Sequence, residues 1–154
     1  MHTTKRMNCL VLKVWDVTAP NIRAEILVMA YKVSKSQFGA LVESVLAELP
    51  PEFAKFLEEV PLEIMDRPAP RQMRELKVAP NHILLGLYRG RDRVHRSVED
   101  SGALPDLIYI FQQPIESISN DQADLRRQIR TTVLHEIGHH FGMDEDDLKR
   151  LGYD

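Results

Sequence analysis

The segment from residue 135 to residue 139 reads His-Glu-Ile-Gly-His, and it constrains this chain more than any other feature. In an α-helix each residue advances by about 100°, so His135 and His139 fall within about 40° of each other on one face. Two imidazoles one helical turn apart can bind a single metal ion. Glu136 follows the first histidine, where its carboxylate can accept a proton from water that the metal activates. The motif therefore predicts a zinc site with a general base beside it.

The residues before the motif favour a helix. From Gln122 onwards the sequence is rich in helix formers, and apolar residues recur at every fourth position as a buried stripe, at Leu125, Ile129, Val133 and Ile137. Asn120 or Asp121 can cap the N-terminus of this helix, and Gly142 can end it. The two histidines are thus expected near the C-terminal end of one long helix.

The third metal ligand is expected just beyond the glycine. Gly142 lies three residues after the second histidine and Glu145 three residues further, which gives the pattern H-E-x-x-H-x-x-G-x-x-E. The glycine can turn the chain so that the carboxylate of Glu145 returns towards the metal. Asp144 and Asp146 are alternatives, because a shift of the turn by one residue would present a different carboxylate. Asp144 can also cap a last helix, with Asp147 at its third position.

The motif and the segments around it resemble the compact bacterial zincin-like metallopeptidases, the mini-zincins. The resemblance covers roughly residues 34–152, and it is strongest from His135 to Leu148. Four upstream segments contribute to it: Gln37–Phe53, Val60–Pro68, Leu85–Gly90 and Leu104–Phe111. It implies an α+β, zincin-like fold in which a small mixed sheet packs on helices and the motif helix lies near the C-terminus. The family pattern carries Asp at the third-ligand position, where this chain has Glu145.

The chemistry that the resemblance implies is metal-assisted hydrolysis of peptides or proteins. His135, His139 and Glu145 would bind Zn2+ and leave one position open for water, with Glu136 as the general base. Two other interpretations stay open: a non-catalytic module that binds a partner in its cleft, and a zinc hydrolase of non-peptide amides. The general base favours an enzyme, because a purely structural zinc site does not need one.

Composition indicates one small globular chain. Its 154 residues can bury a continuous core, and a net charge of −3 gives no electrostatic footprint for nucleic acid. Cys9 is the only cysteine, which excludes an intrachain disulfide. The apolar residues after Met7 are interrupted by Lys13 and Asp16, so they fail as a signal peptide, and Ala24–Tyr31 is too short to cross a membrane. We therefore expect a cytoplasmic protein with no membrane partner, while its oligomeric state stays open.

Residues 1–33 lie outside the resemblance and are expected to be an N-terminal extension. It would be either a β-hairpin of Cys9–Val17 and Ala24–Val33 or a poorly ordered segment. Residues 34–154 form the expected zincin-like domain. Its predicted elements are a helix from Ser36, as N-cap, to Leu49, a helix Glu52–Val60 that Pro51 can begin, a strand Leu62–Met65, a loop Arg67–Pro80 that a helical turn can interrupt, and strands His82–Tyr88 and Leu107–Gln112.

One of the last two strands is expected to be an open edge of the sheet, to which an extended substrate would add its backbone. The alternative is that both strands are interior, because their apolar runs are nearly continuous. Among the remaining candidates, His140 points away from the ligand face and is expected to pack or to support the ligands. His82 and His95 lack partners at a useful spacing, and Tyr153 could support the ligands or an oxyanion.

Overall fold

The computed structural model describes residues 9–16, 30–90, 105–150 and 152, with the backbone alone for residues 9–16 and for Glu145. No helix in these ranges is long and apolar enough to cross a membrane. The elements follow in the order β1 (Cys9–Asp16), α1 (Lys35–Ala47), α2 (Pro51–Glu59), β2 (Leu62–Met65), α3 (Pro70–Glu75), β3 (His82–Gly90), β4 (Leu107–Phe111), α4 (Gln112–Ser117), α5 (Gln122–His140) and α6 (Glu145–Arg150).

The four described strands form one sheet in the order β1-β3-β4-β2. β3 runs antiparallel to both of its neighbours, whereas β4 and β2 are parallel. A small mixed sheet packed on helices is the α+β architecture that the sequence predicts. The prediction of an open edge at β3 or β4 is wrong, because each of these strands pairs on both sides. Their nearly continuous apolar runs reflect interior positions in the sheet and burial on both faces.

Helices cover one face of the sheet and enclose the larger hydrophobic core. This core joins α1, α2, α4 and α5 to side chains of β3 and β4, and its members include Phe38, Val42, Val45, Phe56, Leu85, Tyr88, Ile108, Ile110, Ile115, Leu125, Ile129, Val133 and Ile137. A smaller cluster lies on the other face of the sheet, where Leu84, Leu87 and Phe111 pack against Met73 and Leu76. The sheet thus holds α5 in the centre of the helical layer.

The start of one helix differs from the sequence-based expectation, and the start of the next agrees with it. Helix α1 is capped by Ser34 and not by Ser36: the Ser34 hydroxyl accepts the N–H of Gln37, and the Gln37 side chain accepts the N–H of Ser34. This capping box is readable from the glutamine three residues after the serine. Helix α2 begins at Pro51, where the missing N–H of proline costs nothing. Helix α4 has only six residues, too few for a periodic pattern to reveal.

The N-terminal extension supplies a strand to the sheet. β1 pairs antiparallel with β3, from Cys9 opposite Gly90 to Asp16 opposite His82. Residues 24–29 of the expected hairpin lie outside the described ranges, and residues 30–33 form no strand. The chain that enters α1 is fixed to α4 instead, because the N–H of Val33 donates to the carboxylate of Glu116 at 3.0 Å.

Candidate metal centre

Helix α5 carries the whole motif and has a well-defined end on each side. Asp121 is its N-cap, with a side-chain oxygen that accepts the N–H of Asp124 at 2.8 Å. The C-terminus is a Schellman motif, in which Met143 N–H donates to the carbonyl of Gly138 and Gly142 N–H to that of His139. Gly142 has φ of 76°, a left-handed conformation that glycine adopts without a Cβ penalty. The helix thus stops at the predicted glycine.

The two motif histidines converge on one point. Their Nε2 atoms lie 2.8 Å apart, and their ring planes are inclined by 77°. The carbonyl oxygen of Met143 lies 3.2 Å from Nδ1 of His139. In the tautomer in which Nδ1 donates to this carbonyl, Nε2 presents its lone pair towards His135, the arrangement that supports a metal-binding imidazole. The chain that turns back at Gly142 therefore orients the ring of His139.

The separation of these nitrogens suits a shared metal ion. Two imidazole nitrogens on one tetrahedral zinc, each at about 2.0–2.1 Å, stand about 3.3 Å apart. Small side-chain rotations would bring His135 and His139 from 2.8 Å to that separation. The described residues contain no group of three His, Cys, Asp or Glu that could hold a metal. The side chain of Glu145, the predicted third ligand, lies outside the described part of the chain.

Helix α6 begins at Glu145. Two acidic residues close to Glu145, Asp144 and Asp147, cap this helix. The N–H of Asp147 donates to the Asp144 carboxylate at 2.9 Å, and the Asp147 carboxylate accepts the N–H of Asp144 at 3.3 Å. That second hydrogen bond, together with the guanidinium of Arg150, lowers the pKa of Asp147 below its ordinary value. Asp144, one alternative for the third ligand, therefore takes the capping role predicted for it, and the other alternative, Asp146, is exposed.

Helix α6 packs directly on the motif. A Cβ atom added to Gly138 would overlap the side chain of Leu148, which is fully buried. Gly138 lies between the two histidines in sequence, so its missing side chain lets α6 approach α5 at the level of these two residues. Sequence reasoning assigned no role to this glycine, and its small size inside the motif was the only available signal.

Strand β3 contributes two residues that sequence reasoning did not assign to the site. The backbone N–H of Tyr88 donates to Oε2 of Glu136 at 2.8 Å. A Cβ atom added to Gly86 would lie 2.8 Å from Oε1 of Glu136 and 2.7 Å from Cγ2 of Thr132. The strand can therefore approach the helix only because residue 86 is glycine. Together Gly86 and Tyr88 form a narrow slot that holds the carboxylate of the predicted general base.

His140, the last residue of α5, contacts strand β3 and helix α2. Its Nδ1 lies 2.8 Å from the hydroxyl of Tyr88 and 3.8 Å from a carboxylate oxygen of Asp106, and its ring lies 4.2 Å from that of Phe56. The expected packing role of His140 is confirmed. The candidates His95 and Tyr153 lie outside the described residues, whereas His82 contacts Asn81 at the start of β3.

The comparisons with known proteins agree with this geometry. The family model of zincin-like metallopeptidases matches residues 57–153, which is more than half of the chain. The matched stretch contains β2, β3, β4, the motif helix and α6, and it leaves out β1 and α1. A comparison with curated proteins finds no match.

Proposed function

This chain belongs to the zincin-like metallopeptidase family, and from that premise we propose that it is a zinc-dependent peptidase. The observation that carries the proposal is the convergence of the His135 and His139 Nε2 atoms at 2.8 Å, on the helix that also presents Glu136. Neutral imidazole nitrogens are good zinc ligands, and a carboxylate one residue after the first histidine is what proton transfer requires. Peptides or proteins are the proposed substrates.

The zinc ligands in this proposal are His135, His139 and Glu145. Glutamate is an ordinary zinc ligand, and Glu145 is the first residue of the helix that Leu148 packs onto the motif. The fit rests on the donor types, on the converging nitrogens and on the close packing of α6.

The chemistry divides between the metal and the protein. Zinc, when bound, supplies the Lewis acidity that brings the ionisation of water towards neutral pH. Glu136 accepts the proton of the water that attacks the scissile carbonyl, and it then returns that proton to the leaving amine. The hydrogen bond from Tyr88 N–H fixes the orientation of the carboxylate, so that little reorganisation is needed when the proton moves.

The test measures metal content and turnover on the same preparations. We expect about one zinc per chain by mass spectrometry after purification without chelator. Glu136→Gln should keep that zinc and lose roughly 10²–10⁴-fold of the rate on fluorescent casein, whereas His135→Ala should lose both. Glu43→Gln, the same substitution at an exposed glutamate of α1, is the matched control. Hydrolysis by Glu136→Gln at the wild-type rate would contradict the proposal.

One observation favours a second candidate, a module that keeps the fold but binds a partner without turnover. Glu136 is 0% exposed, His135 2% and His139 6%, so the site is closed in this structure. The same experiment separates the two candidates. A zinc-loaded chain that hydrolyses neither casein nor a peptide library, with no difference from Glu136→Gln, would contradict the peptidase and favour the module.

A further inference from the structure

We propose that β1 is an intramolecular occupant of the surface on which an extended polypeptide binds, and that a substrate must exchange with it to reach Glu136. One consequence of this exchange, the control of hydrolysis, rests on the proposed function. Its structural part, the exchange of one strand for another on β3, can be tested without any turnover.

The first observation is the closure of the site. With Glu136 0% exposed and both histidines at 6% or less, neither the attacking water nor a scissile carbonyl can reach the carboxylate in this conformation. A hydrolase with this structure must open before it binds a peptide. A segment that lies against both the motif helix and the strand that holds Glu136 is in a position to control this opening.

β1 meets both conditions. Helix α5 contacts β3 and also β1, the neighbour of β3 in the sheet. In the register of the two strands, Val11 lies opposite Tyr88 and Lys13 lies opposite Gly86. Tyr88 donates a hydrogen bond to Glu136, and Gly86 lies against the Glu136 side chain. The middle of β1 therefore runs beside the slot of the general base.

The pairing of β1 is irregular at this point. Lys13 pairs with Gly86 but Val14 pairs with Leu84, so the register skips Leu85. A bulge of this kind disrupts the hydrogen-bond ladder locally and is common beside active sites. Moreover, β1 lies outside the stretch that the family model matches, residues 57–153. The matched sheet would end at β3, whose free N–H and C=O groups would then pair with an extended peptide.

The opposite edge of the sheet is a weaker location for a substrate. β2 is exposed there, with Ile64 and Met65 partly open to solvent. However, β4 separates β2 from β3 in the strand order, and β3 is the strand that contacts Glu136. A peptide on the free edge of β2 would have two strands, β4 and β2, between it and β3. The edge of β3 is therefore the surface that β1 covers and that also lies next to the general base.

The decisive experiment follows hydrogen–deuterium exchange in zinc-loaded, full-length Glu136→Gln, with and without the unfolded polypeptide α-casein. We expect casein to speed exchange of the residue 9–16 amides at least tenfold and to leave the β3 amides protected, because the casein backbone replaces β1. If the residue 9–16 amides stay as protected as those of β4 with casein present, the proposal is overturned. If β1 is displaced but wild-type protein does not hydrolyse casein, the exchange stands and the peptidase function fails.

A reversible cross-link supplies the complementary measurement. Leu10 lies directly opposite Arg89, so Leu10→Cys with Arg89→Cys, in a Cys9→Ser background, can lock β1 onto β3. We expect the oxidised protein to cleave casein at least tenfold more slowly than the same protein after reduction with a phosphine. Leu10→Cys with Cys9→Ser alone is the matched control and should not respond to oxidation. Equal rates for the locked and reduced forms would overturn the proposal.

Discussion

The two halves of helix α5 have different surroundings. In residues 122–131 only Asp124, Leu125 and Ile129 are buried, which leaves most of the helix surface open. In residues 132–140 every side chain is buried, and five of these nine residues are polar: Thr132, His135, Glu136, His139 and His140. One continuous helix thus changes from an amphipathic segment to an enclosed polar one.

This difference indicates that the two halves of α5 have different roles, one in stability and one in chemistry. Burying a polar group costs free energy unless it is hydrogen-bonded, so a segment selected for stability alone would be apolar. In the second half, contacts from other elements hold the polar groups in place: β3 holds Glu136, the turn after Gly142 holds His139, and Tyr88 holds His140. We infer that the first half anchors the helix and that the second half carries the site.

The strongest test of this division removes a side chain from the first half. Ile129→Ala deletes a fully buried side chain of the main core, so we expect the free energy of unfolding to fall by about 2–5 kcal/mol. Zinc per folded chain should not change. Urea unfolding and metal analysis measure the two quantities, and Gln128→Ala, at the half-exposed neighbouring position, should stay within about 0.5 kcal/mol of wild type. Loss of zinc from folded Ile129→Ala would show that the first half of α5 also supports zinc binding.

Two glycine-to-alanine variants test the second half of α5: one at Gly138 in that half, and a control at Gly39 in α1. Gly138→Ala forces a Cβ into Leu148, so we expect a loss of about 1–3 kcal/mol from overpacking. Displacement of α6 should also weaken zinc affinity roughly tenfold, as changes in ligand-supporting contacts do. Gly39→Ala is the matched control in α1, where a Cβ meets nothing within 4 Å, and it should stabilise by roughly 0.5–1 kcal/mol.

A double variant shows whether the overlap with Leu148 of α6 causes the loss of stability in Gly138→Ala. Leu148→Ala removes the side chain that the new Cβ would meet, so Gly138→Ala should cost less in that background than in wild type. The coupling between the two substitutions is the measured quantity. Strictly additive losses would mean that α6 does not pack against Gly138, and the proposed approach of Glu145 to the metal would lose its support.

Local features of α5 were predictable from the sequence, and contacts between distant segments were not. The apolar stripe, the Asp121 cap and the Gly142 stop all depend on residues within a turn or two of each other. The slot for Glu136 depends on Tyr88, which lies 48 residues earlier in the chain. The interior position of β3 depends on β1, more than sixty residues before it, and no local pattern encodes that pairing.

Some parts of the site carry no sequence signal. The carbonyl of Met143 contacts His139, but every residue has a carbonyl, so the contact follows only from the path of the chain after Gly142. The family resemblance and the motif spacing could nominate His135, His139 and Glu136, because one helical turn relates them. Spacing alone could not choose among the acidic residues beyond the turn, since each helix cap also favours carboxylates.

The smallest expected effect lies at the far end of the first half. Asp121→Ala removes the side-chain oxygen that accepts the N–H of Asp124, so we expect the free energy of unfolding to fall by about 1 kcal/mol. Asp121→Asn keeps a capping oxygen and should lose much less than the alanine variant. Because the cap lies more than three turns before His135, zinc affinity should equal that of wild type in both variants. A change in zinc affinity with Asp121→Ala would show that the two halves of α5 act as one unit.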